Sequence, residues 1–140
     1  MKLNRFFACI MFVLCLAPLA AGDRGEYWTR WNATTAADNW PAAELAMREA
    51  MRLFPEETGF ATCLAWALRK QGRPVDAVTM LEPLCAQHPG EKKLAEALAW
   101  SLLDVGWKHY ERSAYADALV PFARAFALLP EDRYVLNAYG

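Results

Sequence analysis

The chain has 140 residues, of which 56% are hydrophobic, 22% are charged and 13% are aromatic, and its formal net charge is −1. This length suits a single domain, and the aromatic content excludes a disordered chain. The balanced charge gives no electrostatic reason to expect a nucleic acid as a partner.

The first 21 residues have the pattern of a secretory signal peptide. Lys2 and Arg5 supply the positive start, residues 6–16 are uncharged and apolar, and small residues follow before the first acidic residue. The apolar stretch is too short to span a bilayer. We therefore predict export, with cleavage after residue 21. Because Leu19 is larger than a cleavage site prefers, an uncleaved signal anchor that tethers the protein to a membrane is the alternative.

The predicted mature chain, residues 22–140, retains 13 basic and 16 acidic residues, so its formal charge becomes −3. It contains no second apolar stretch long enough to span a membrane. We therefore expect a periplasmic or secreted domain with no membrane span after cleavage.

The mature sequence repeats itself at a fixed interval. The tripeptide Leu-Ala-Trp at residues 64–66 recurs at residues 98–100, and Pro55 recurs at the same distance as Pro89. Aligned on Pro55, Pro89 and Pro130, a small–large–small series stands before each proline: Ala43, Met47 and Ala50; Ala77, Leu81 and Leu84; Ala118, Phe122 and Ala125. A fixed period of about 34 residues is typical of repeat architectures.

Each period is predicted to form two helices. Asn39 or Asp38 caps a helix that carries Pro41 in its first turn and ends before Pro55. The next helix covers about residues 59–71, and Gly72 ends it. Pro74 then opens another helix. One such hairpin cannot bury its apolar face alone, so neighbouring hairpins must stack.

This pattern resembles the tetratricopeptide repeat (TPR) family. The resemblance implies an all-α solenoid of helical hairpins, with about three repeats and a partial fourth after the signal peptide. The implied units cover about residues 24–57, 58–91 and 92–132, with the partial unit at 133–140.

The sequence departs from this family's pattern at three places. Leu84 replaces a small residue, and Pro83 and Pro121 fall inside second helices, where we expect them to kink or break the backbone ladder. Residues 107–113 are extra relative to the preceding unit. Since seven residues make two helical turns, we expect the helix that begins near Lys92 to continue to about residue 112, and a local loop is the alternative.

The residues that usually carry catalysis or bind metals are scattered. His88 and His109 have no cysteine or carboxylate at the spacing of metal ligands. The acidic pairs follow Pro55 and Pro130, where the first turns of helices favour negative charge. We therefore expect no catalytic residue, no metal and no cofactor, and a protein that is not an enzyme.

Cys63 and Cys85 are the two cysteines that remain after signal cleavage. One is early in the first helix of the second unit and the other is late in its antiparallel partner, so the hairpin brings them to the same end. Export would favour a disulfide between them if their Cα atoms come within about 7 Å. The alternative is two buried free thiols that pack as small apolar groups.

Two tryptophans are expected to point away from the hairpin core. Trp66 lies about 200° around the helix from Leu64, and Trp100 has the same relation to Leu98. The resemblance implies that this face lines a concave groove. Its candidate residues are Trp28, Asn32, Thr62, Trp66, Arg69, Lys70, Glu96, Trp100 and Asp104. The alternative is that Trp66 and Trp100 simply pack against each other.

Tryptophan and arginine are typical anchors of binding surfaces. The sequence therefore predicts a non-enzymatic interaction or assembly scaffold that binds a peptide or protein segment in the groove. One alternative is an envelope- or exopolysaccharide-associated repeat module, in which Trp66 and Trp100 stack on sugar rings. Another is the N-terminal fragment of a longer repeat protein, since the fourth unit stops early.

Overall fold

The computed structural model describes residues 22–139, and this part of the chain is all-helical. The predicted signal peptide over residues 1–21 lies outside the described residues. The described part contains seven helices, namely α1 (Arg24–Ala36), α2 (Trp40–Leu53), α3 (Thr58–Lys70), α4 (Pro74–Gln87), α5 (Lys92–Glu111), α6 (Tyr115–Leu128) and α7 (Arg133–Tyr139).

The helices repeat at the spacing found in the sequence. The starts of α1, α3 and α5 are equally spaced along the chain, and the starts of α2 and α4 are separated by the same interval. Turns of three residues alternate with turns of four along the whole series, and turns this short place neighbouring helices antiparallel. Each helix packs on the next, and α3 also packs on α5. The architecture is therefore consistent with an all-α helical repeat.

The predicted ends of the helices are confirmed. Asn39 caps α2, and its side chain accepts a hydrogen bond from the backbone N–H of Ala42 at 3.2 Å. Gly72 follows α3 with a φ angle of +73°, a conformation that glycine adopts without strain. Pro74 is the first residue of α4, where its missing N–H is not needed.

The small–large–small series forms the buried stripe of the second helices. Alanine lets the facing helix approach, and the larger side chain fills the remaining space. Exposure is between 0 and 4% at Ala43, Met47, Ala50, Ala77, Leu81, Ala118, Phe122 and Ala125. Leu84, the departure from the pattern, is only partly buried.

The seven extra residues lengthen a helix and do not form a loop. α5 has 20 residues and continues unbroken to Glu111, as the two-turn spacing predicts. α4 and α6 continue through Pro83 and Pro121 and do not end there, although each proline removes one hydrogen bond from the backbone ladder. Pro121 is buried next to Ala118 and Phe122, and this packing offsets the lost hydrogen bond.

Gly106 lies where α5 packs on α6. A Cβ atom at this position would come within 3.0 Å of three carbons of the Phe122 ring. The ring cannot move away easily, because it is 4% exposed and contacts Trp107 at a centroid distance of 5.2 Å. Glycine is therefore required here for close helix approach.

We expect Gly106→Ala to lower the free energy of unfolding by about 1–3 kcal/mol, because overpacking exceeds the usual helix preference for alanine. Urea unfolding followed by circular dichroism measures this change. Gly25→Ala is the matched control, since a Cβ there meets only the Asp23 side chain, at 3.4 Å or more. Equal stability of the two variants would contradict the packing argument.

Glu44 connects α2 to the turn between α3 and α4. Its carboxylate accepts hydrogen bonds from Gln71 Nε2 at 2.9 Å and Arg73 Nη1 at 2.9 Å, and from Arg48 Nε at 2.9 Å. Burial alone would raise the pKa of Glu44, but the hydrogen bonds from Arg48 and Gln71 and the nearby positive charges outweigh it and lower this pKa.

We expect Glu44→Gln to lower the free energy of unfolding at neutral pH by about 1–2 kcal/mol, because charge-assisted hydrogen bonds are lost. Since folding lowers the pKa of Glu44, its contribution is present above the unfolded pKa and disappears as the pH falls through the folded one. The variant should therefore lose less stability on acidification, which urea unfolding across a pH series measures.

The control for this substitution is Glu82→Gln. Glu82 pairs with Arg124, and both side chains are well exposed, so its removal should cost little. If the two variants have the same stability and the same pH dependence, the hydrogen bonds from Gln71 and Arg73 to Glu44 do not stabilise the fold.

Candidate functional site

The two repeated tryptophans point away from the core, as the helical geometry predicts. On α3, Leu64 is 1% exposed while Trp66 is 50% exposed. On α5, Leu98 is 5% exposed and Trp100 is partly buried. Equivalent positions of successive units therefore present indole rings on the same side of the molecule.

A cavity of about 400 Å³ lies between α3 and α5. Its lining comprises Thr62, Cys63, Ala65, Trp66, Arg69, Lys93, Glu96, Ala97 and Trp100. The structure thus brings together Thr62, Trp66, Arg69, Glu96 and Trp100 from the predicted groove. Lys93 was missed, although it lies two helical turns before Trp100 and thus on the same face of α5.

The Trp66 ring packs against the rings of two other tryptophans. Its ring centroid lies 6.0 Å from that of Trp31 and 6.2 Å from that of Trp40, and the latter two rings are 6.4 Å apart. The indole N–H of Trp40 donates to Asp38 at 2.5 Å. These contacts fix the orientation of the Trp66 ring on one wall of the cavity.

Trp100 has a different set of partners on the opposite wall. Its ring lies 5.9 Å from that of Tyr134 on α7, and the Arg69 guanidinium lies 6.0 Å from its centroid. Arg69 Nε in turn donates to Asp104 at 2.6 Å. Trp66 and Trp100 therefore pack on different aromatic side chains and face a common space.

The charges around the cavity are balanced. Arg69 is paired with Asp104, and their side chains are 24% and 37% exposed. Lys93 and Glu96 are exposed, and neither forms an ion pair within the described part of the chain. The site therefore offers a cation and an anion to a ligand without a net charge to select one sign.

Four predicted groove residues lie outside the lining of the cavity. Trp28 stacks on the buried ring of Phe60 at a centroid distance of 4.8 Å. Asn32 is exposed on α1, and Lys70 Nζ lies 5.8 Å from the ring centroid of a tryptophan on α2. Asp104 contributes to the cavity indirectly, because its carboxylate accepts the hydrogen bond from Arg69.

Cys63 and Cys85 are free thiols in the structure, and both are partly buried. Burial raises the pKa of the Cys63 thiol to about 11, although a hydrogen bond with Thr62 opposes the shift. Burial and the charge of Glu82 raise the pKa of Cys85 as well. Both thiols are therefore protonated at neutral pH and are weak nucleophiles.

The remaining chemical groups are dispersed. In residues 22–139, no three His, Cys, Asp or Glu side chains gather closely enough to hold a metal ion. Ser101 is fully buried and donates to the carbonyl of Ala97 at 2.7 Å. In the same part of the chain, no helix combines the length and the apolar character needed to cross a membrane.

A scan of the chain against protein-family models gives no match, and a search of curated proteins gives no significant match. The functional argument therefore depends on the geometry of the cavity between α3 and α5.

Proposed function

We propose that this protein is an exported, non-enzymatic, TPR-like scaffold that binds a peptide or protein segment in the cavity between α3 and α5. The observation that carries this proposal is the placement of Trp66 and Trp100 on opposite walls of one cavity of about 400 Å³. Buried aromatic anchors with a polar rim are the usual composition of a peptide-binding surface.

The rigidity of the two walls supports the same function. Trp66 packs on Trp31 and Trp40, and Trp100 packs on Tyr134, so both rings are oriented before a ligand arrives. A preorganised surface loses less conformational entropy when it binds. The free charges of Lys93 and Glu96 can then fix the orientation of a bound segment.

The helix spacing supports the TPR-like part of the proposal. The first helices α1, α3 and α5 start at equal intervals, and three-residue turns alternate with four-residue turns. In this scheme the units cover about residues 24–57, 58–91 and 92–132, with a partial unit at 133–140. First helices of successive units then line one surface, which is where the cavity lies.

A second candidate is a saccharide ligand in an envelope- or exopolysaccharide-associated module. The half-exposed indole of Trp66 offers an apolar face to a sugar ring, and the carboxylate of Glu96 and the ammonium of Lys93 could bind hydroxyl groups. The cavity lining is shared with the first candidate, so ligand screening separates the two.

We expect Trp66→Ala and Trp100→Ala each to weaken binding of a peptide ligand at least tenfold, because anchors of this kind commonly contribute about 2 kcal/mol or more. Calorimetric titration against a peptide library and a glycan library measures the affinities. Leu45→Ala removes a residue that is 66% exposed on α2 and serves as the control. Unchanged binding in both tryptophan variants would refute the groove function.

Export can be tested by intact mass spectrometry of the protein recovered outside the cytoplasm. We expect the mass of residues 22–140 with both thiols reduced, because the structure leaves Cys63 and Cys85 free. A mass lower by two hydrogens would show that the disulfide allowed by the sequence forms. Retention of Met1 would contradict signal cleavage.

A further inference from the structure

The seven extra residues of α5 place a third tryptophan in line with the cavity. Seven residues correspond to about 700° of rotation and about 10.5 Å of rise, so Trp107 lies on nearly the same face as Trp100 and two turns further along. Lys93, Glu96 and Asp104 share this face by the same periodicity. The helix therefore extends the aromatic wall beyond the cavity itself.

Trp107 is both accessible and fixed in position. It is 44% exposed, and its ring makes edge contacts with Phe122 at 5.2 Å and Tyr110 at 5.6 Å between centroids. Phe122 belongs to the buried stripe of α6. The exposed part of the Trp107 ring is thus presented by a rigid support, as Trp66 is presented by Trp31 and Trp40.

Three tryptophans along this surface donate no hydrogen bond to another protein group in the described part of the chain. In residues 22–139, the indole N–H groups of Trp66, Trp100 and Trp107 have no acceptor, whereas Trp40 donates to Asp38. An indole nitrogen can only donate. A ligand that fits this surface should therefore present flat apolar rings together with carbonyl oxygens.

The charge pattern favours a ligand without a large net charge. Arg69 and Asp104 neutralise each other at 2.6 Å, and Lys93 and Glu96 carry opposite charges on the same helix face. Along α5, Lys93 stands against Glu96 and Asp104, and Arg69 on α3 neutralises the second carboxylate. A strongly acidic or strongly basic segment would gain little here.

From these observations we infer that the groove recognises a proline-rich segment in the polyproline II conformation, with prolines at positions i and i+3. This inference depends on the proposed peptide-binding function and specifies its ligand. Polyproline II has three residues per turn and a rise of about 3.1 Å, so such prolines share one edge and lie about 9.3 Å apart. That spacing is close to the rise of about 10.5 Å that seven helical residues put between the backbones of Trp100 and Trp107.

The backbone of this ligand matches the donors of the groove. Its carbonyl oxygens have no internal hydrogen bonds and can accept from the indole N–H groups, while the proline rings pack on the indoles. A β-strand fits less well. Its side chains on one face recur at about 6.6 Å and about 13 Å, and neither distance matches the tryptophan spacing.

The test uses calorimetric titration of the full mature protein with blocked synthetic peptides. One set repeats Pro-Ala-Ala-Pro, a second repeats Pro-Ala-Ala-Ala-Pro, and a third replaces every proline with alanine. We expect the first set to bind at least tenfold more tightly than the other two. This comparison uses the unmodified protein, so it does not depend on whether any variant folds.

Two substitutions at Trp107 then test whether this residue causes the preference for prolines at positions i and i+3. Trp107→Ala should abolish the tenfold difference between the proline sets, and Trp107→Phe should keep the ring packing against Phe122 but weaken binding, because its N–H donor is lost. Leu45→Ala, on the exposed surface of α2, should leave the preference unchanged.

The outcomes separate this inference from the proposed function. Peptide binding that depends on Trp66 and Trp100 but shows neither a spacing preference nor a Trp107 dependence would overturn the inference and leave the proposed function standing. Binding of an oligosaccharide alone, or of no peptide in a wider library, would overturn both.

Discussion

The structure depends on one constraint, which is that no helical hairpin in it can bury its own apolar surface. α3 shows this most clearly, because Phe60, Leu64 and Leu68 are at most 1% exposed and the helix contacts α2, α4 and α5. Its burial requires one unit before it and one after it. Alanines at Ala43 and Ala77 allow the necessary close approach, so stability is distributed between neighbours rather than held within units.

The candidate site follows from the same constraint. Stacking of units of equal length brings equivalent positions of α3 and α5 side by side, and the outward position of each helix is a tryptophan. The cavity is therefore a gap between two units that must be adjacent for packing reasons. A change that separates α3 from α5 would remove the core contacts and the cavity together.

Local physical chemistry explains why much of the fold could be predicted. The cap at Asn39, the glycine at Gly72 and the opposite orientations of Leu64 and Trp66 each depend on the chain within a few residues. These features therefore follow from the sequence without knowledge of how the helices pack.

The partners of the tryptophans could not be predicted in this way. Trp31 is 35 residues before Trp66, and Tyr134 is 34 residues after Trp100, so their contacts depend on the angle between helices and on side-chain rotamers. The continuation of α6 past Pro121 could not be predicted for a related reason, because burial at Pro121 is a property of the assembled helices.

The charged links between successive units have a consequence for how the array responds to its surroundings. Glu44 with Arg73 joins α2 to the turn before α4, and Glu82 with Arg124 joins α4 to α6. At physiological ionic strength the Debye length is about 8 Å, and exposed pairs such as Glu82–Arg124 are screened far more than apolar contacts. Salt therefore weakens the exposed Glu82–Arg124 pair, while the apolar contacts between successive helices persist. The helices would thus stay packed on one another as the ionic strength of the surrounding medium rises.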